Sequence, residues 1–236
     1  MRLAVLRPEP DGERTAAALR GMGHEVLVTP LLRMTPLSVG QLHGPWAAVL
    51  VTSANAIRAM SAHPALPELQ RMRVLAVGDH TAEIARAAGF ADVVSGDGNA
   101  RDLAARAAKF CAKDKPLLYL VGQHRAFDFA DSLERHGITV DTVVVYRMQA
   151  QTQLPANLAD ALRSGSLTGV LHYSARSAAT YLSCAEGPTL RSAALSPRHF
   201  CLSEQVAAPF VAAGAAHVRV ARQPDEASLF RLLDAD

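Results

Sequence analysis

The chain has 236 residues, half of them hydrophobic, with a formal net charge of +2 and a pI near 8.6. That is enough apolar material for one large domain or two ordinary ones. The basic balance is too weak for a nucleic-acid partner and compatible with an anionic small molecule, while three widely spaced cysteines, Cys111, Cys184 and Cys201, argue against a disulfide framework and suit a reducing cytoplasm.

Residues 3–6 read as a short buried strand, followed by the helix "DGERTAAALRGMGH", with Asp11 as candidate N-cap and Gly23 just past its end. "EVLVTPLL" is the next strand, so the first 32 residues form a β-α-β unit. Further strands are expected at 48–51, 74–77, 92–94, 117–121, 139–146, 169–172, 199–202 and 217–220. Helices are expected from 54, at 81–88, 99–110, 127–135 and 158–163, from 177, and at 204–213 and 226–233. The strands are continuous apolar runs rather than alternating ones, which favours parallel sheets covered by helices on both faces. The apolar run before Arg7 is too short for a signal sequence, and no apolar stretch is long enough to span a membrane.

The chain also repeats itself. Residues 23–34, "GHEVLVTPLLRM", match 137–148, "GITVDTVVVYRM". "VLVTSAN" at Val49 matches "VLHYSAR" at Val170, and the segment from Arg73 matches that from Arg198. The three matches keep their order, which reads as two copies of one α/β lobe; the alternative is that Ala-rich βα units merely look alike. "RMTPLSVGQL" and "RMQAQTQLPANL" each follow a strand and carry proline and polar residues, as lobe-to-lobe crossings would.

In parallel α/β sheets ligands bind beyond the carboxyl ends of strands, where helices begin and free backbone N–H groups face outward. The tips here are "RPEP", "TSAN", "VGDHT", "VGQHR", "YSARS" and "LSEQ". Their Ser, Thr, Asn, Gly and Arg residues suit an anionic ligand, and each serine is equally an ordinary helix cap. No glycine-rich nucleotide loop, nucleophile elbow or paired metal-binding histidine motif is present. Most of the nine histidines read as loop or surface residues, with His172 and His199 at strand ends. No carboxylate stands within "TSAN" or "YSARS", and Asp79 and Glu204 read as helix-start acids with a capping role.

The ordered set "RPEP", "VLVTSANAIRA", "AVGDHTAEIARAAGF", "VVVYR", "YSARSA" and "CLSEQVA" resembles the uroporphyrinogen-III synthase family over nearly the whole chain. The resemblance implies two flavodoxin-like or Rossmann-like lobes with parallel sheets, a two-stranded connector and a ligand cleft between the lobes. One lobe would be 1–34 plus 151–236 and the other 36–147, with connectors near 30–38 and 144–153. The implied enzyme is a cofactor-free, metal-free lyase of tetrapyrrole biosynthesis. It closes hydroxymethylbilane, a linear polycarboxylate, to uroporphyrinogen III with inversion of ring D and loss of water. A cytoplasmic monomer is expected, without nucleic-acid or membrane partners and with a transient hand-over from hydroxymethylbilane synthase.

The linear substrate can close unaided to the uninverted isomer, so positioning matters more than a strong nucleophile. The one side chain the chemistry needs is an acid near the departing hydroxyl. Tyr146, in "VVVYRM", is the candidate, since a free phenol with a pKa of about 10 stays protonated at neutral pH and can donate; the alternative is a ring packed in the hinge. Ser53 and Ser174 occupy equivalent tips and resemble substrate-contacting positions. Asn55, Gly78, Thr81, Ser177 and Ser203 follow as substrate-binding candidates, and Arg7 and Arg176 read equally as carboxylate-pairing guanidinium forks or as surface residues. Where the family's second-lobe signature often reads Gly-Pro-Thr-Thr, this chain has "LSEQVA"; Glu204 there would repel a carboxylate, so only Ser203 is carried over. The rival readings are a non-enzymatic two-lobed binding protein for a small polyanion, and a nucleotide-linked α/β regulator that lacks its glycine loops.

Overall fold

A computed structural model of the chain describes residues 1–96, 103, 107, 115–124, 129–135 and 137–234. It divides into two compact units, Met1–Arg33 with Gln149–Asp236, and Met34–Met148. The first unit is built on β1 (Arg2–Val5), β2 (Glu25–Val28), β9 (Gly169–His172), β10 (Arg198–Cys201) and β11 (Val218–Val220), in the parallel order β11-β10-β9-β1-β2. The pleat sends successive side chains to opposite faces. Leu3, Val5, Leu171 and Phe200 therefore pack on one face with Leu19 and Leu229, while Ala4, Leu6, Val170 and Cys201 pack on the other with Leu158, Tyr181 and Phe210. Each large apolar side chain buried this way contributes about 1.5–3 kcal/mol. The packing leaves no spare room at Gly169, where an added Cβ would stand 2.5 Å from the Phe200 ring.

The second unit holds β3 (Leu32–Pro36), β4 (Ala48–Val51), β5 (Arg73–Ala76), β6 (Asp92–Ser95), β7 (Leu117–Gly122) and β8 (Val140–Ala150), ordered β3-β8-β7-β4-β5-β6. Its strands from β8 to β6 pair in parallel. Val49, Val51, Val74, Ala76, Leu118 and Leu120 fill one side; Ala48, Leu50, Leu75, Leu117, Tyr119 and Val121 fill the other, with Leu103 and Ala107. β3 is tied to β8 by Leu37 N–H to the Val145 carbonyl and, further along, by Gln151 N–H to the Leu31 carbonyl, each 2.9 Å. Both unit boundaries fall inside these two strands.

Without β3, the two sheets read β2-β1-β9-β10-β11 and β8-β7-β4-β5-β6. The matched sequence segments occupy equivalent places: β2 with β8, β9 with β4, β10 with β5. Their helix ends agree as well. After α4 (Asp79–Ala87), Gly89 takes φ +91° and its N–H bonds to the Arg86 carbonyl; after α9 (Glu204–Ala212), Gly214 takes φ +76° and bonds to that of Val211. A side chain is disfavoured at this left-handed stop, so glycine recurs at both.

The remaining helices are α1 (Asp11–Gly21), α2 (Ala54–Ala59), α3 (Leu66–Leu69), α5 (Phe129–Glu134), α6 (Ala156–Arg163), α7 (Ala175–Cys184), α8 (Pro188–Leu195) and α10 (Glu226–Phe230). Several expectations change. Asp11 is the first helical residue and Pro10 takes the N-cap. The strand expected over 25–32 breaks at Thr29 and Pro30, since proline has no N–H to give a ladder. β3 falls in the segment expected as part of the connector, β8 runs on past Tyr146, and α3 and α8 were not anticipated. The helix expected at 99–110 lies largely outside the described residues.

Candidate functional site

At the tip of β4, Ser53 is extended (φ −150°, ψ 138°) and its hydroxyl accepts from Asn55 N–H at 3.2 Å, capping α2. At the tip of β9, Ser174 has φ −149° and ψ 146° and accepts from Ser177 N–H at 3.1 Å, capping α7. The extended cap followed at once by helix is what lets a short hydroxyl turn back to an orphan N–H. Gly78 and Ser203 hold the matching places before α4 and α9, both extended, and neither gives a side-chain cap bond. The capping role expected of Asp79 and Glu204 is therefore not the one found: each is the first helical residue, and Asp79 accepts the Ser95 hydroxyl at 2.7 Å. Thr81 and Ser177 are buried within their first helical turns, whereas Ser53, Asn55, Gly78, Arg176 and Ser203 are partly exposed and Ser174 is exposed.

Tyr146 sits on an irregularity in β8. Val121 faces Val144 and Gly122 faces Tyr146, so Val145 is an extra residue. The bulge turns two consecutive side chains, Val145 and Tyr146, toward the core, and it re-aims the tyrosine. The phenol ring lies directly over Gly122, where an added Cβ would meet Cζ at 2.7 Å and the hydroxyl oxygen at 2.9 Å. Val51 is level with Leu120 and Tyr146 with Gly122, so Tyr146 stands at the height where β4 gives way to Ser53. Asn55 is also near, its amide 3.8 Å from the Met148 sulfur. Tyr146 is buried, at 8% exposure, and its hydroxyl has no hydrogen-bond partner among the described residues.

The tip of the other sheet is charged. Arg7, just after β1, donates from Nη1 to Thr15 Oγ1 and to Glu226 Oε1, both at 3.0 Å. Glu226 Oε1 also accepts from Thr15 Oγ1 at 2.6 Å and from the Tyr173 hydroxyl at 2.9 Å, and Oε2 accepts from Arg14 Nη1 at 2.9 Å. The Arg7 guanidinium lies 4.2 Å over the Tyr173 ring, a cation–π contact. Burial alone would push the Glu226 carboxyl up; the Thr15 and Tyr173 hydrogen bonds and the Arg14 and Arg7 charges outweigh it and hold it below the usual range. Burial and the Glu226 charge together push the Tyr173 phenol well up. A carboxylate thus serves the "YSARS" tip after all, from a place 53 residues along the chain.

A second feature lies in the core. His172 and His199, at the end of one expected strand and the start of another, are fully buried, and His172 Nε2 meets His199 Nδ1 at 3.1 Å. Phe210 stacks on His199 at 4.2 Å, and Tyr181 stands edge-on to His172. Burial lowers both imidazoles, His172 far and His199 to about 4. Among the described residues His172 Nδ1 has no hydrogen-bond partner, while the Leu195 and Ala194 backbones partly offset the effect of burial on His199. Among the described residues no group of three or more His, Cys, Asp or Glu could hold a metal ion.

The sequence matches the family model of uroporphyrinogen-III synthase HemD over residues 13–231. The chain belongs to the uroporphyrinogen-III synthase family. Among curated proteins none matches the sequence. The fold is similar to uroporphyrinogen-III synthetase of Helicobacter pylori, at 18% identity and a TM-score of 0.69, covering 99% of this chain and 98% of that one. It is also similar to a mutant uroporphyrinogen III synthase of Thermus thermophilus, at 17% identity and a TM-score of 0.56, covering 100% and 98%. As a member of the family the chain is a cyclising lyase of heme biosynthesis, which converts hydroxymethylbilane to uroporphyrinogen III with inversion of ring D and loss of water. Among the described residues no helix is long and apolar enough to cross a membrane.

Proposed function

We propose that Tyr146 is the proton donor of this synthase and that the strand tips of both units hold the substrate carboxylates. The supporting observation is the Tyr146 hydroxyl, carried on a bulge at the height of the Ser53 tip with no hydrogen-bond partner among the described residues. The pyrrole nitrogen pushes, the C–O bond breaks, and the hydroxyl leaves as water with the phenol proton. The resulting azafulvene-type cation is attacked at the substituted carbon of ring D. The spiro intermediate fragments and recloses with ring D turned, and the proton lost at closure returns to the phenolate.

Ser53, Asn55, Gly78 and Thr81 serve on one unit; Ser174, Arg176, Ser177, Ser203 and Arg7 serve on the other. Neutral donors and a few guanidiniums suffice for a polycarboxylate at net charge +2. In this reading the units act as flavodoxin-like lobes, 1–34 plus 151–236 and 36–147, on a two-stranded connector near 30–38 and 144–153, with the substrate taken between them. The enzyme works as a cytoplasmic monomer and receives its substrate from hydroxymethylbilane synthase.

The test is to incubate the protein with hydroxymethylbilane, oxidise, and separate the porphyrins. Isomer III above the spontaneous isomer I background is expected, and Tyr146→Phe should lower its rate without lowering Tm. Isomer I alone from the wild-type chain would sink the reading.

A further inference from the structure

Three segments converge on the carboxylate of Glu226, which opens α10 in the first unit: Arg7 after β1, Arg14 and Thr15 on α1, and Tyr173 after β9. Glu226 receives four donors from the protein, three at Oε1 and one at Oε2, so Oε1 is fully engaged. Arg7 is different. Its Nη1 is fully used by Thr15 and Glu226, but among the described residues Nε takes no hydrogen bond and Nη2 has only Asp11 Oδ2, at 3.9 Å. The unused Nε and Nη2 edge is the fork that a carboxylate meets with two parallel bonds. The guanidinium plane is fixed from below by the Tyr173 ring and along one edge by Glu226. Tyr173 in turn directly precedes Ser174, so the same carboxylate steadies that tip.

We infer that Glu226 is a positioning residue for the substrate site of the first unit, holding Arg7 and Tyr173 so that the free edge of Arg7 is preset for one substrate carboxylate. A free arginine side chain would lose rotamer freedom on ordering, and the Glu226 cluster removes that cost before substrate arrives. Arg14 supplies the second cation, which helps keep the partly buried carboxylate ionised without drawing Arg7 away from its post. The inference rests on the reading that the tips hold the substrate.

The test uses the full chain and hydroxymethylbilane, with isomer III as readout. Glu226→Gln should raise KM about tenfold, the size of one charge-assisted contact, with kcat within about twofold of wild type. In an Arg7→Lys background the same change should alter KM less than about twofold, since the fork it serves is gone. A KM left unchanged in Glu226→Gln with a lower Tm would make the cluster a structural staple only and overturn the inference. A tenfold effect that persists beside Arg7→Lys would overturn it too. If Glu226→Gln fails to fold, Glu226→Asp carries the comparison, with a rise of about threefold expected and none overturning it. Isomer III from the wild-type chain reports separately on the parent reading.

Discussion

Ser53 and Ser174 cap their helices with nearly the same backbone angles, yet their surroundings differ in kind. Beside Ser53 stand Thr52, whose hydroxyl lies 3.4 Å from that of Tyr119, the Asn55 amide, which accepts from Arg58 Nη1 at 3.1 Å, and Tyr146 on its bulge, with no carboxylate among them. Beside Ser174 stands an ion-paired cluster of two arginines, a glutamate and a tyrosine. The cores differ as well. Counted along the matched segments, the positions of His172 and His199 are taken in the other unit by Val51 and Val74, both fully buried. Shared backbone geometry follows from local sequence, whereas what a tip can do follows from side chains that other segments bring to it. In the proposed reading one tip gives a proton and the other fixes a charge.

Acid should separate the two units first. The buried imidazoles are neutral in the fold, and their folded pKa values lie below the unfolded value near 6.5. Stability from the pair is fully present above pH 6.5 and is lost as pH falls toward 4, by about 3 kcal/mol for His199 alone. The double change His172→Val and His199→Val, which copies the other unit, should flatten the fall in Tm between pH 7 and 4.5. An equally steep fall in the variant would place the acid sensitivity elsewhere.

Gly122→Ala should lower kcat about a hundredfold, because its Cβ would displace the Tyr146 ring and with it a general acid of that worth. Wild-type kcat in that variant would show that the ring's place over Gly122 is not needed. Ser53→Ala and Ser174→Ala should each cost about 1 kcal/mol, the usual value of a serine cap, seen by urea unfolding. Matching losses of stability are expected, and the double variant should also bind product more weakly in calorimetry; undiminished affinity would leave both as caps only. Ser203→Ala should cost under about 0.5 kcal/mol, since its hydroxyl makes no cap bond, and a larger loss would point to a contact the fold does not display.

Much of the fold was legible. β4 and β9 run over the expected residues because an unbroken apolar run meets a hydroxyl cap at each tip. Asp11 misled because a proline ahead of it holds the cap position, and α8 announced itself only by the Gly187-Pro188 start that favours a first helical turn. The tail of β8 is polar and exposed, so no apolar run marked its end. The caps at Ser53 and Ser174 were legible for the same local reason as the helices they begin. The Arg7–Glu226 contact spans 219 residues, and no window on the sequence brings the two together. His172 and His199 fell within expected strands, but their pairing was not legible, because polarity alone does not reveal that two imidazoles will meet inside a core.

The claim that Tyr146 gives the proton is tested most directly by the steady-state rate of isomer III formation in Tyr146→Phe, the loss of one oxygen from a ring that otherwise keeps its packing. The account predicts kcat lower by about a hundredfold, with KM and Tm close to wild type. An unchanged kcat would contradict it.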